Sequence, residues 1–185
     1  MSAALHILGI AGSLRRGSYN QSALRAAGEL APDGVELDIF PLDEIPIFNQ
    51  DLERTPPAPV IEFKRRIRQA DAILIATPEY NYSVPGVLKN AIDWASRPFG
   101  DNAWSGKPVA ILGAAPGGVG TARAQYHLRQ IFVFLNLLAL NQPEVMITDA
   151  SKRFDAEGNL IDGPTREILR ELVESLVSWT RRVSP

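Results

Sequence analysis

Apolar residues gather in five strand-length runs along the chain: Leu5–Ala11, Val35–Phe40, Ala72–Thr77, Val109–Ala114 and, more weakly, Glu144–Thr148. The first, third and fourth runs are continuous rather than alternating. Such runs predict strands buried on both faces of a parallel sheet. Between them the apolar positions switch to helical spacing. Asn20–Leu30 sets Ala23, Leu24, Ala27 and Leu30 on one stripe, and Val60–Ala70 does the same with Val60, Phe63, Ile67 and Ala70. A third helix carries Leu88, Ala91, Ile92 and Ala95, with Pro85 suited to its first turn. Thr121–Leu138 predicts a fourth helix, and Thr165–Arg182 a fifth with Ile168, Leu169, Leu172, Leu176 and Trp179 inward. Arg181 and Arg182 end that helix where its dipole favours cations.

Strands alternating with helices predict a doubly wound α/β fold, a three-layer sandwich with helices on both faces of the sheet. Five such strands favour the flavodoxin-like order 2-1-3-4-5, and residues 1–185 read as a single domain of ordinary size. Ligands in these sheets bind beyond the carboxyl ends of the strands. The loops after the first, third and fourth strands are therefore where function is expected.

Composition narrows the chemistry mainly by exclusion. The chain has no cysteine, which removes disulfides, thiolate nucleophiles and iron–sulfur clusters, and its two histidines, His6 and His127, lack metal-ligand spacing. Redox chemistry here requires a bound organic group. A net charge of −2 offers no nucleic-acid footprint. The basic run Lys64-Arg65-Arg66-Ile67-Arg68 falls on the second helix and reads as a solvated face. Met1–His6 lacks a basic segment ahead of an apolar one, and the apolar run Ile131–Leu140 is too short to span a bilayer, so no membrane insertion and a cytoplasmic location are expected.

The first strand-end loop is Gly12-Ser13-Leu14-Arg15-Arg16-Gly17-Ser18-Tyr19-Asn20. It leads from a buried strand into a helix N-terminus, whose free N–H groups and dipole favour an anion. Ser13, Ser18 and Asn20 add neutral donors, and Arg15 adds a fork suited to phosphate. A Gly-Lys-Ser/Thr tripeptide is absent, and Gly9, Gly12 and Gly17 do not form G-x-G-x-x-G, so a phosphate monoester fits better than a pyrophosphate. The second loop, Thr77-Pro78-Glu79-Tyr80-Asn81-Tyr82-Ser83-Val84-Pro85-Gly86, sets two aromatic rings beside amide and carboxylate groups, as a frame for a flat heteroaromatic ring. The third, Gly113-Ala114-Ala115-Pro116-Gly117-Gly118-Val119-Gly120-Thr121, lets bare backbone approach a ligand and forms the opposite wall. One phosphate and one flat ring point to a mononucleotide. FMN fits, and AMP-like nucleotides stay open on this argument.

These motifs resemble the NADPH-dependent FMN reductase family, in its branch of quinone and chromate reductases. The resemblance runs over nearly the whole chain. It rests on Gly12-Ser13-Leu14-Arg15 with Ser18 and Asn20, on Pro78-Glu79-Tyr80-Asn81, and on Val84-Pro85-Gly86-Val87-Leu88-Lys89-Asn90-Ala91-Ile92-Asp93. Trp104-Ser105-Gly106-Lys107-Pro108 and Gly120-Thr121-Ala122-Arg123 extend it. The resemblance implies a flavodoxin-like fold, FMN, NADPH or NADH as electron donor, and a homodimer or homotetramer. It implies that Ser13, Arg15, Ser18 and Asn20, with Tyr19 among them, hold the FMN phosphate. It implies that Pro78, Glu79, Tyr80 and Asn81 line the isoalloxazine, with Ala115, Pro116, Gly117 and Gly118 facing them. Ala115 stands where relatives often carry serine, and Tyr82 where they vary.

The implied activity is a ping-pong reductase in which one cleft serves the nicotinamide and then a small acceptor: a quinone, azo compound, chromate, ferric chelate or free flavin. The cofactor supplies the chemistry, so no side chain is nominated as acid or base. A flavodoxin-type electron carrier and a nucleotide-binding regulator are the alternatives; the weak net charge speaks against the carrier. Arg123 and Tyr126 are candidates for donor phosphate or for a subunit contact with Glu144, while Trp94 and Trp104 read as packing or interface residues.

Overall fold

A computed structural model describes residues 4–184; the Met1–Ala3 start of the N-terminal reading lies outside them. The strands are β1 (Leu5–Ala11), β2 (Val35–Phe40), β3 (Ala72–Ala76), β4 (Pro108–Ala114), β5 (Leu138–Ala139) and β6 (Val145–Ile147). The helices are α1 (Tyr19–Glu29), α2 (Ala58–Gln69), α3 (Gly86–Ala95), α4 (Ala122–Leu135), α5 (Ala150–Arg153) and α6 (Gly163–Val183). The sheet is parallel throughout, in the order β2-β1-β3-β4-β5, with β6 also on β4. The flavodoxin-like order read from the sequence is the order observed.

Alternation along the central strands sorts the core into two layers. Ile7, Ala72, Leu74, Ala76, Ala110 and Leu112 face α1 and α6, whereas Leu8, Ile10, Ile73, Ile75, Val109 and Ile111 face α2, α3 and α4. This explains why the runs are continuous: each face has its own helices to satisfy. The second layer is the bulkier one. Phe63, Trp94 and Trp104 are buried there, with Trp104 edge-on to Phe63, and each such burial stabilises by about 2–3 kcal/mol. Both tryptophans are packing residues, and their indole N–H groups are satisfied by Pro46 and Ile92 carbonyls.

The fourth helix is shorter than its apolar pattern predicts. Asn136 adopts φ 57° and terminates α4 at Leu135 in a left-handed cap, a conformation asparagine tolerates better than most residues. The chain then turns into β5, where Leu138 and Leu140 N–H groups bond to Lys107 and Val109. The fifth strand position is thus divided: β5 pairs the start of β4 and β6 pairs its end. Pro85 is the residue preceding α3 rather than part of its first turn.

The basic run on α2 is not a uniform solvated face. Lys64 is buried and bonded to Asp101 and the Arg97 carbonyl, while Arg65, Arg66 and Arg68 pair with Glu62, Asp38 and Asp101. Among the described residues no helix is long and apolar enough to cross a membrane.

Helix α6 carries a pH-sensitive cap. Asp162 accepts from the Thr165 hydroxyl at 2.6 Å, the Thr165 N–H at 2.9 Å and Arg153 at 2.6 Å. The Thr165 hydroxyl bond first, then the Thr165 N–H and Arg153, hold its carboxyl below the usual range. A depressed folded-state pKa stabilises above the unfolded value and loses that contribution as pH falls through the folded one. Asp162→Asn should therefore lower Tm at about pH 7, and the gap to the parent should narrow by about pH 3, below an ordinary aspartate pKa of about 4. Thermal melts at the two pH values check this; a gap independent of pH would refute it.

Candidate functional site

The chain leaves β1 through Gly12, whose N–H bonds to the Ala76 carbonyl at 2.8 Å. A Cβ there would lie 3.0 Å from Pro85, 3.1 Å from Pro78 and 3.2 Å from Leu88, so the first two strand ends meet on bare backbone. The loop that follows is braced internally. Ser13 Oγ accepts from the Arg15 N–H at 3.3 Å, and Gln21 Nε2 donates to the Ser13 carbonyl at 2.9 Å. Ser18, buried, caps α1 by accepting from the Gln21 N–H at 3.5 Å. The N–H groups of Tyr19 and Asn20, first in the helix, have no intrahelical acceptor. The Arg15 guanidinium lies over the Tyr19 ring at 5.5 Å, and that ring stacks on Phe154. Gln21 was not among the residues singled out in the sequence; a glutamine in a first helical turn carries no signal of the carbonyl it reaches.

After β3 the chain makes a tight turn. Tyr80 and Ser83 exchange main-chain hydrogen bonds of 3.2 and 3.0 Å, and the central residues Asn81 and Tyr82 have φ 50° and 67°. Positive φ at both central positions is the type I′ requirement, and it is uncommon for a bulky residue such as tyrosine. Such conformations persist only where surrounding contacts impose them. The contacts come from α4: the Arg123 guanidinium sits 3.6 Å over the Tyr82 ring, and Ser83 Oγ pairs with His127 Nδ1 at 2.9 Å.

Glu79 holds that arrangement together. Its side chain is 8% exposed and accepts from the N–H groups of Arg123 at 3.0 Å and Ala124 at 3.2 Å. The same carboxylate accepts from Arg123 Nε at 2.5 Å and from the other arm of the fork. Thr121, at the head of α4, offers no side-chain cap and has φ 71°, so Glu79 serves as the cap from another strand end. Its hydrogen bond to Arg123 raises that guanidinium's pKa further above its usual value. Tyr126 donates to Glu144 within the chain at 3.4 Å.

The third loop starts at Ala115, whose N–H bonds to Ile147 and whose carbonyl accepts from Ala150. Gly117 and Gly118 are exposed, and a Cβ on either would meet nothing within 4 Å. Gly113 is the opposite case: its Cβ would fall 1.7 Å from Thr121 Oγ1 and 2.7 Å from the Thr77 carbonyl. The loop is tied to α1 by Asn20, which is 3% exposed. Asn20 Nδ2 donates to the Ala114 carbonyl at 3.0 Å, and Asn20 Oδ1 accepts from the Ala114 N–H at 2.9 Å.

The three loops thus meet at neighbouring strand ends. One side offers the Tyr19 and Asn20 N–H groups beside a forked cation; on the others, the backbone of Gly117 and Gly118 is open and Tyr80 and Tyr82 are exposed. The NADPH-dependent FMN reductase family model matches residues 5–152. The chain belongs to that family. It is 53% identical over 184 residues to an NAD(P)H-dependent FMN reductase of Pseudomonas aeruginosa, covering 99% of both chains. It is 44% identical over 178 residues to a 2-hydroxy-1,4-benzoquinone reductase of a Burkholderia species, covering 96% of this chain and 97% of that one. Among solved structures it superposes on the NAD(P)H:(acceptor) oxidoreductase FerB of Paracoccus denitrificans with a TM-score of 0.90 at 36% identity, over 97% and 99% of the chains.

As an FMN reductase the chain is an oxidoreductase whose cofactor is FMN and whose donor is a nicotinamide. The residues present fit that cofactor. The Tyr19 and Asn20 N–H groups at the start of α1, with Arg15 beside them, suit a phosphate monoester, and the glycine backbone at Gly117–Gly118 admits a flat ring without displacing a side chain. The Asn20 carboxamide and the Glu79 carboxylate are both engaged with main chain of the protein itself.

Proposed function

We propose that this chain uses FMN to carry electrons from NADPH or NADH to quinones and other small acceptors in a ping-pong cycle. The observation that carries the reading is the convergence, at adjacent strand ends, of the Tyr19 and Asn20 N–H groups beside Arg15 with open glycine backbone at Gly117–Gly118. Tyr19 and Asn20 N–H groups, Ser13, Ser18 and Arg15 hold the phosphate. Pro78, the Tyr80–Asn81 backbone and Ala115–Gly118 frame the ring, and Glu79 and Arg123 fix the turn that carries Tyr80 and Asn81. FMN held there would supply the hydride and electron transfer between nicotinamide and acceptor. The chain's own task is to bind, orient and leave one ring face open. The relatives' quinone-named activities support a quinone as acceptor. Exposed Val133, Phe134 and Phe99 support association of copies into a homodimer or homotetramer, and reliance on a nicotinamide donor supports action in the cytoplasm.

Steady-state rates with varied donor and quinone should give parallel double-reciprocal lines. Intersecting lines would reject the ping-pong order, and FMN-loaded protein that oxidises neither nicotinamide would reject the reductase. Arg15→Ala should leave the fold intact and weaken FMN by roughly tenfold to a hundredfold, the worth of one charge-assisted phosphate contact. Equilibrium titration of the apo-protein measures it; unchanged affinity would remove Arg15 from the phosphate site.

A further inference from the structure

We infer that Asn20 is a positioning residue: its side chain couples the phosphate loop to the ring wall rather than holding the phosphate. The inference rests on the FMN assignment above and concerns how the two halves of that site are joined.

The geometry is that of a strand partner. An asparagine carboxamide carries one carbonyl acceptor and two N–H donors. Here the carbonyl accepts the Ala114 N–H at 2.9 Å and one N–H donates to the Ala114 carbonyl at 3.0 Å. Both main-chain groups of one residue are therefore paired by one side chain, as a neighbouring strand would pair them. Ala114 is the last residue of β4, where the ladder ends and the wall loop begins. Asn20 extends that ladder by one residue toward α1. The pair is dry: Asn20 and Ala114 are each 3% exposed. A buried main-chain group left unpaired is costly, so the clamp resists opening.

The same residue contributes to the phosphate side through its main chain. Asn20 is in the first turn of α1, and its N–H is among those without an intrahelical acceptor. One residue thus fixes two distances at once: where the α1 N–H groups stand, and where Ala115–Gly118 starts. Gly12 performs the corresponding junction between β1 and β3 through the Ala76 carbonyl. Phosphate and ring are held by loops that the Asn20 side chain makes into one rigid unit.

The two roles make opposite predictions about riboflavin, which has the ring but no phosphate. A phosphate ligand matters only for FMN; a clamp on the wall matters for both. Asn20→Ala should weaken FMN and riboflavin by a similar factor, roughly tenfold each for two lost hydrogen bonds. The FMN-to-riboflavin affinity ratio should stay within about threefold of the parent's, whereas Arg15→Ala should collapse that ratio. Titrations are run on apo-protein well below the variant's Tm, so that a loss of global stability alone does not move the riboflavin affinity. Loss of FMN affinity with riboflavin affinity intact would overturn the inference, and so would no change in either.

A second measurement on the parent protein does not depend on the variant folding. The Ala114 amide should exchange slowly with deuterium in the apo-protein, as a strand amide does, because the clamp is made before cofactor arrives. Exchange as fast as that of the exposed Gly117 and Gly118 amides would overturn it. Failure of the parent to bind FMN would refute the cofactor assignment instead, and the exchange experiment would still read the clamp.

Discussion

Gly113→Ala is expected to lower Tm by about 9 °C and to weaken FMN binding along with it. The added methyl has no place to go. It would lie 2.7 Å from the Thr77 carbonyl, which is main chain just beyond the end of β3, and 1.7 Å from Thr121 Oγ1. Rotating the hydroxyl leaves Thr121 Cβ at 2.9 Å, and the carbonyl belongs to Thr77, whose N–H is tied to the Leu112 carbonyl of β4 at 3.0 Å. Relief requires β4 to separate from β3 or the third loop to lift. Overpacking of a well-packed core costs about 3 kcal/mol in severe cases, and about 3 °C per kcal/mol follows for a chain of this size. Gly117→Ala is the matched contrast. Its methyl meets nothing, so Tm should hold or rise slightly while FMN weakens, if Gly117 backs the ring as proposed. Melting curves and flavin titrations of the two variants check both halves. A Gly113→Ala protein within about 2 °C of the parent would mean that the strands yield more easily than a packed sheet should.

Removing the Glu79 carboxylate should have the next largest effect. Glu79→Ala uncaps α4 and strips Arg123 of its partner while Tyr82 is still held at φ 67° by that arginine. The lost cap and the lost arginine pair are worth about 1 kcal/mol each. Glu79→Gln separates the two functions. Its carbonyl oxygen still accepts the Arg123 and Ala124 N–H groups, but its NH2 faces Arg123 Nε and the pair is lost. Tm should fall by about 6 °C for alanine and by roughly half of that for glutamine, with weaker FMN binding in both, since the turn carrying Tyr80 and Asn81 loses its brace. Equal Tm for the two variants would assign the whole effect to the arginine and none to the cap.

The parts legible in the sequence are those whose cause is local. β1 and β2 have the bounds that their apolar runs predict, and α1 starts one residue earlier than its stripe. Strand order followed from alternation of elements. The fourth helix was overrun because Ile131–Leu140 is apolar across its break; only the backbone of Asn136 marks where helix becomes strand. The side-chain partners of the candidate site residues were not legible. Asn20 in a first helical turn resembles an anion donor, yet its partner lies 94 residues away, and Glu79 reaches α4 across 44 residues. Pairings of that separation are fixed by the register of β3 against β4 and the seating of α1 and α4. No local pattern carries that information.

The divided fifth strand has a further consequence. An edge strand with free N–H and C=O groups invites a foreign strand to add to it, which is one route to aggregation. On one side of this sheet the exposed ladder is cut into pieces of two and three residues, too short to template such growth. On the other side β2 is longer, but Glu36 and Asp38 point outward from it and are held by His6 and Arg66. One border is protected by interruption and the other by charge, so the sheet is bounded at both limits and edge-to-edge growth is discouraged.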